Sequence, residues 1–226
     1  MIRGAALILV VLLAALASPS LWAQTSRPAG IDDPTWQRML AIDAKAGEIQ
    51  DLVADFEQQK FTAMLRKPLV SSGQVFVRGP RMLWQTHRPE AGTLQIDEKE
   101  ARIYYPAEKA IEVYAIRQKL GQLAASPLPL SEMGEKDGER FFAVEMSPID
   151  PELREHVDRV RVLLDATRGL IARLEMTDAD GDRTLIAFSN VRTNVGVNDE
   201  QLTIKAAKDV KVTRPLAGLE GEGGSK

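Results

Sequence analysis

No cysteine occurs among the 226 residues, and that one absence closes several routes together. Without thiols there is no disulfide framework, no thiolate nucleophile and no cysteine-ligated metal. A lipid-modified cysteine anchor is excluded on the same ground. Histidine is nearly missing too: His87 and His156 lie far apart in sequence and do not suggest an imidazole metal pair. Aromatic residues make up only 5%, and the net charge of -3 comes with dispersed basic residues, so no basic face for nucleic acid is expected. The sequence has no Gly-rich phosphate loop, no serine elbow and no dinucleotide fingerprint. Carboxylate pairs such as Asp97/Glu98 fall in turn-like sequence, where solvation explains them. An enzyme is therefore not expected, and no cofactor is implied.

What is present begins with an export signal. Arg3 precedes an apolar run over residues 5–17, and Ser18 to Ala23 reads as a cleavage region. The run is short for a membrane span. Residues 1–23 are accordingly read as a removed segment, residues 24–214 as one folded domain, and the Gly/Glu/Ser-rich residues 215–226 as a flexible tail. The expected product is soluble and exported. Hydrophobic residues at 44% against 27% charged supply a core of ordinary size.

The stretch over residues 70–106 organises the rest. Gln74 to Arg78, Met82 to Thr86, Thr93 to Ile96, Arg102 to Tyr105 and Ala110 to Ile116 are short apolar or alternating runs. Gly79-Pro80, Arg88-Pro89 and Pro106 punctuate them. Strand signals at about this spacing predict an antiparallel meander. Before it, Asp33-Pro34 predicts a helix start, with Trp36, Met39, Leu40, Ala46 and Ile49 forming one apolar stripe. Residues 52–61 then switch to period two, a first strand. After the meander, Ile116, Leu120, Leu123 and Ala124 at helical spacing predict a short amphipathic helix over residues 116–125, followed by an apolar Pro-rich arm at 126–130. Strands are predicted at 140–146, 159–165, 170–178, 184–191, 201–206 and 210–212, with a short helix at 150–156. Asp178, Asp180 and Asp182 superficially resemble a calcium loop. The twelfth position from Asp178 is Ser189 rather than the bidentate glutamate, so a tight acidic turn explains them better.

Arg78 is a fixed charge at the end of an apolar strand, and alternation allows two placements. Either Phe76 faces the interior and Arg78 stands at its rim, or Val75 and Val77 face inward and Arg78 outward. Periodicity alone favours the second without deciding it.

Taken together, Asp55-Phe56-Glu57-Gln58, Ser72-Gly73-Gln74-Val75-Phe76-Val77-Arg78, Trp84 six residues beyond Arg78, Pro89 five beyond that, and Tyr104-Tyr105-Pro106 resemble the LolA family of periplasmic outer-membrane lipoprotein carriers. Gly169-Leu170-Ile171 and Phe188-Ser189-Asn190-Val191 extend the likeness over roughly residues 49–212. The resemblance implies a mainly β fold: an incomplete, half-open antiparallel barrel of about 10–11 strands with an α-helical lid over an apolar cavity. It implies a soluble, monomeric periplasmic carrier that takes acylated lipoprotein or lipid cargo from an inner-membrane release complex to an outer-membrane acceptor. Arg78 matches the family's gating arginine, although Gly79 separates it here from Pro80. Phe76, Trp84, Leu94, Ile96, Leu120, Leu123 and Met176 are candidates to line the cavity or lid. The rival reading is an envelope sensor of lipid or lipoprotein on the same fold. Cargo type, lipoprotein against glycolipid or fatty acid, is not legible.

Overall fold

The computed structural model describes residues 27, 31–115, 123–149 and 151–215. Its frame is a single twelve-stranded sheet whose strands are, in chain order, β1 (Asp51–Phe61), β2 (Leu69–Arg78), β3 (Arg81–Arg88), β4 (Gly92–Ile96), β5 (Glu100–Tyr105), β6 (Ala110–Ala115), β7 (Leu123–Leu128), β8 (Phe141–Pro148), β9 (Val157–Asp165), β10 (Leu170–Asp178), β11 (Arg183–Thr193) and β12 (Lys211–Thr213). The spatial order is β12-β6-β5-β4-β3-β2-β1-β11-β10-β9-β8-β7, so two meanders meet where β1 pairs with β11. Every pairing is antiparallel except that of β12 with β6. The ends do not pair, and the sheet stays open rather than closing into a barrel.

Helix α1 (Asp33–Gly47) packs on one face of this sheet. Asp32 caps it by accepting the Thr35 backbone N–H at 2.8 Å, just ahead of the start expected at Asp33-Pro34. Pro34 then falls in the first turn, where its missing N–H costs nothing. Met39 and Ile42 are buried in the main core with Val144, Met146, Val160, Val162 and Leu174. Burying those two side chains contributes about 1.5–3 kcal/mol each.

Alternation along the strands sorts residues onto two faces. Ala54, Val75, Trp84, Leu94 and Ile103 are successive cross-strand partners on the face that α1 covers. Val53, Phe76 and Leu83 are partners on the other face, where Val197, Leu202 and Ile204 cover them as a second cluster.

Three local expectations change. Residues 201–206 are not a strand: a 3-10 turn at Glu200–Leu202 takes their place. Its side chains close it, with Asn198 and Gln201 bonding each other's backbone N–H at 3.0 Å and the Thr203 hydroxyl donating to the Asp199 carbonyl at 2.7 Å. The second change is β7. Ala124 and Ala125, expected in a helix, lie in this edge strand paired to β8. Pro127 is the physical reason, since it disfavours helix in the residue before it and is tolerated in a sheet at an edge. Ile116 and Leu120 lie outside the described residues. The third is the short helix after residue 149, which shrinks to one turn, α2 (Pro151–Arg154).

Candidate functional site

An apolar cavity of about 170 Å³ lies between the C-terminal end of α1 and the sheet. Ala46 and Ile49 close it from above, Leu52 and Ala54 of β1, Val75 and Val77 of β2, and Met82 and Trp84 of β3 form its floor, and Leu170, Ile171, Phe188 and Val191 wall the far side. Small residues make the space. Ala54 stands where the rows on either side carry larger side chains, and Gly169 lets β10 meet the helix end. A Cβ at Gly169 would lie 2.6 Å from the Ala46 nitrogen, and its φ of +70° favours glycine independently. Below the cavity Trp84 stacks on Phe56, with ring centroids 3.9 Å apart, and meets Phe188 edge-on at 6.1 Å.

The helix is tied down at both ends by cations and amides. Arg38 donates to the carbonyls of Gly138 and, at 3.1 Å, Phe141, and its guanidinium lies over the Phe142 ring. Lys45 donates to the Ala166 carbonyl at 2.9 Å, a cation meeting the last turn of the helix and the β9–β10 corner together. Past the helix, Gln50 N–H donates to the Asn194 side chain at 2.8 Å. Asp51 is buried, and its carboxylate accepts the backbone N–H groups of Val195 and Gly196 at 2.8 and 3.1 Å. The segment after β11 thus holds the rim of the cavity from the opposite face of the sheet.

The sequence candidates divide accordingly. Trp84 lines the cavity. Ile96 and Met176 are buried in the same apolar cluster, with Leu94 packed against it. Phe76 lies on the opposite face, packed against the cluster of Val53, Leu83, Val197 and Leu202. Leu120 is outside the described residues, and Leu123 sits in β7. Arg78 shares the Phe76 face: it donates to the Val197 carbonyl at 2.8 Å and pairs with Asp199, which Arg81 also contacts. Those two guanidiniums, Arg81 first, hold the Asp199 carboxyl below its ordinary range, so the tie persists at neutral pH and is lost only as pH falls through that lowered value. The residue in phase with Val75 and Val77 at the cavity is Gly79. The helix end that covers the cavity is that of α1, and of the lid helix expected over residues 116–125, residues 116–122 lie outside the described residues. Leu52, Ala54 and Asn194 are not among the residues the sequence offers for the site, and Ile49 is legible only as part of the apolar stripe of α1. Asn194 and Gly196, with φ of +55° and +77°, left a turn signal that marks a corner but not what it grips.

The acidic corner at 178–182 is a turn, with Asp178 N–H donating to the Asp182 carbonyl at 2.8 Å. No group of three metal-ligating side chains occurs among the described residues. Burial pushes the Asp178 carboxyl up, Lys60 opposing, and its Oδ1 has no partner. A carboxyl raised in the folded state costs stability at neutral pH and returns it as pH falls through the raised value. Asp178→Asn should therefore raise Tm at pH 7, with the gain closing as pH approaches the ordinary value of 3.8. Thermal melts by circular dichroism across that range check it.

Residues 47–205 match the family described as outer membrane lipoprotein carrier protein LolA. The chain belongs to the LolA family. A curated relative, the outer-membrane lipoprotein carrier protein of Idiomarina loihiensis, is 25% identical over 175 residues, covering 76% of this chain and 85% of the relative. An uncharacterised conserved protein of Thermus thermophilus superposes with a TM-score of 0.51 at 12% identity, over 80% of this chain and 99% of that one, and shares the fold. A LolA superfamily protein of Nitrosomonas europaea aligns at a TM-score of 0.42 and 12% identity, over 73% of this chain and 97% of that one. LolA proteins are binding carriers rather than enzymes. The match runs from the end of α1 to the segment after β11, so it takes in the strands of the cavity. No helix among the described residues is long and apolar enough to cross a membrane.

Proposed function

We propose that this LolA-family chain is a periplasmic carrier that holds the acyl chains of a lipoprotein under α1 and moves that cargo from the inner to the outer membrane. The observation that carries the reading is the apolar cavity between α1 and the sheet. At about 170 Å³ it is close to the roughly 150 Å³ dry cavity that accepts a benzene ring. A long acyl chain therefore needs α1 to lift. Undocking Met39 and Ile42 costs about 3–6 kcal/mol, and each methylene taken from water offers about 0.8 kcal/mol. Some four to eight methylenes offset the opening, so a full chain binds with a net affinity well below its transfer free energy. That difference keeps the cargo releasable.

Arg78 acts in this scheme through the segment after β11. It fixes Val197 and Asp199, while Asn194, Val195 and Gly196 grip residues 50 and 51 at the cavity rim. Arg78→Leu should leave the fold intact and speed both uptake and release of acyl cargo. Stopped-flow transfer of a fluorescent acyl probe between this protein and vesicles measures it, and unchanged rates would remove Arg78 from the mechanism. The carrier reading itself is tested by native mass spectrometry on protein isolated from the periplasm without detergent. Acylated lipoprotein bound near one-to-one is the expected result. Protein that arrives empty and takes up no acyl probe would sink it and favour a protein-binding sensor.

A further inference from the structure

We propose that the tip of the β1–β2 hairpin is a docking element for an anionic phospholipid bilayer. Four of the seven large hydrophobic side chains exposed among the described residues fall within this one hairpin: Met64 at 93%, Leu65 at 47%, Leu69 at 55% and Val70 at 49%. Core packing does not explain that concentration, and isolated exposed aliphatics elsewhere need no explanation. The hairpin is uncovered on its β3 side, because β2 pairs with β3 only from Ser72 onward, while β1 stays paired to β11 through Phe61. Met64 stands most exposed at its tip, Leu69 and Val70 lie along the uncovered edge, and Leu65 is exposed where it helps to line a neighbouring groove.

Two cations accompany these aliphatics. Arg66 and Lys67 are exposed in the same turn and form no ion pair among the described residues. Behind them, a polar groove of about 590 Å³ is lined by Arg159, Arg161 and Arg183 together with the tip, and Glu175 is the one acidic residue in its wall. All three of those arginines already face carboxylates: Arg159 pairs with Asp158 at 3.3 Å, Arg161 with Glu145 at 2.8 Å and Arg183 with Glu175 at 3.6 Å. The uncompensated positive charge is therefore that of Arg66 and Lys67, inside the aliphatic tip itself.

A bilayer suits this arrangement better than a protein does. An exposed cluster of aliphatic side chains finds a complementary surface in a fluid acyl phase, where no matching pocket has to be preformed. Arg66 and Lys67 can then extend to the phosphates while their stems follow Met64 and Leu65 inward. Juxtamembrane basic residues each strengthen binding to an anionic surface several-fold, and that gain is lost in salt. The site is separate from the cavity. From Ala54 to Phe61 β1 runs roughly 23 Å at about 3.3 Å per residue, so a bound cargo leaves the tip free.

The test is flotation of the purified protein with phosphatidylethanolamine/phosphatidylglycerol vesicles and with phosphatidylcholine vesicles. Binding to the anionic vesicles, weakening with salt and to the neutral ones, is expected. Met64→Ser with Leu65→Ser should lower it about tenfold or more, and Arg66→Glu with Lys67→Glu at least tenfold. All four positions are exposed, so thermal melts should match wild type. Wild-type protein that stays with neither vesicle overturns the proposal and leaves the tip to a protein partner. Equal flotation of wild type and both variants overturns it too. A chain that took up no acyl probe should still float with anionic vesicles, so this proposal and the carrier reading fail separately.

Discussion

Trp84→Ala should remove about 3–5 kcal/mol of unfolding free energy, the range for deleting a buried large aromatic. The indole is buried, stacked on Phe56 at 3.9 Å and edge-on to Phe188, and its loss empties the floor of the cavity rather than a surface site. Native domains hold only about 5–15 kcal/mol in total, so the variant should unfold at a visibly lower urea midpoint. Trp84→Phe, which keeps a ring against Phe56, should recover more than half of the loss. Urea titration followed by circular dichroism measures both. A Trp84→Ala variant as stable as wild type would mean that this aromatic stack does not organise the sheet.

Ala54→Leu should do the opposite to stability and destroy binding. Ala54 is buried, lines the cavity and faces Val75 across the β1–β2 pair. Three added carbons enter existing space, so the overpacking that normally penalises such a change is relieved, and a gain of up to about 1 kcal/mol is expected. The same carbons occupy the room an acyl chain needs. Affinity for a fluorescent acyl probe should fall at least tenfold while Tm rises. The opposed signs give the experiment its force, because a merely damaged fold would lose both. Unchanged probe affinity would place the acyl site elsewhere.

Most strands were legible because period two and Gly/Pro corners are local signals: β2 to β6 and β8 to β11 lie where alternation put them. Helix α1 was legible from Pro34 and the Trp36–Met39–Leu40 spacing. Residues 123–125 differ from the expected helix because Leu120, Leu123 and Ala124 fit helical spacing, and strand pairing with β8 outweighed that weak preference ahead of Pro127. Residues 201–206 were misread for a related reason. Side chains of Asn198, Gln201 and Thr203 satisfied the backbone locally, leaving Leu202 to anchor the turn in the second cluster.

For the site, the motifs were enough to suggest the family, which the match over residues 47–205 bears out. They were not enough to build the cavity. Trp84 was identified, whereas Ala54 and Gly169 matter by being small, and a small residue in a strand or turn carries no signal of the space beside it.

By itself, then, the sequence determined the alternating strands, the first helix with its cap region, the absence of thiol chemistry and the likeness to LolA carriers. These follow from neighbours a few residues apart. Which face of β2 looks inward was decided only in three dimensions. Val75 pairs with Ala54 and Trp84 beneath α1, while Phe76 meets Val53, Leu83 and a segment more than a hundred residues downstream. The same long-range packing turned Arg78 away from the cavity and onto Val197 and Asp199. Alternation gives two faces but no direction, and the choice between them belongs to whichever distant segments cover each one.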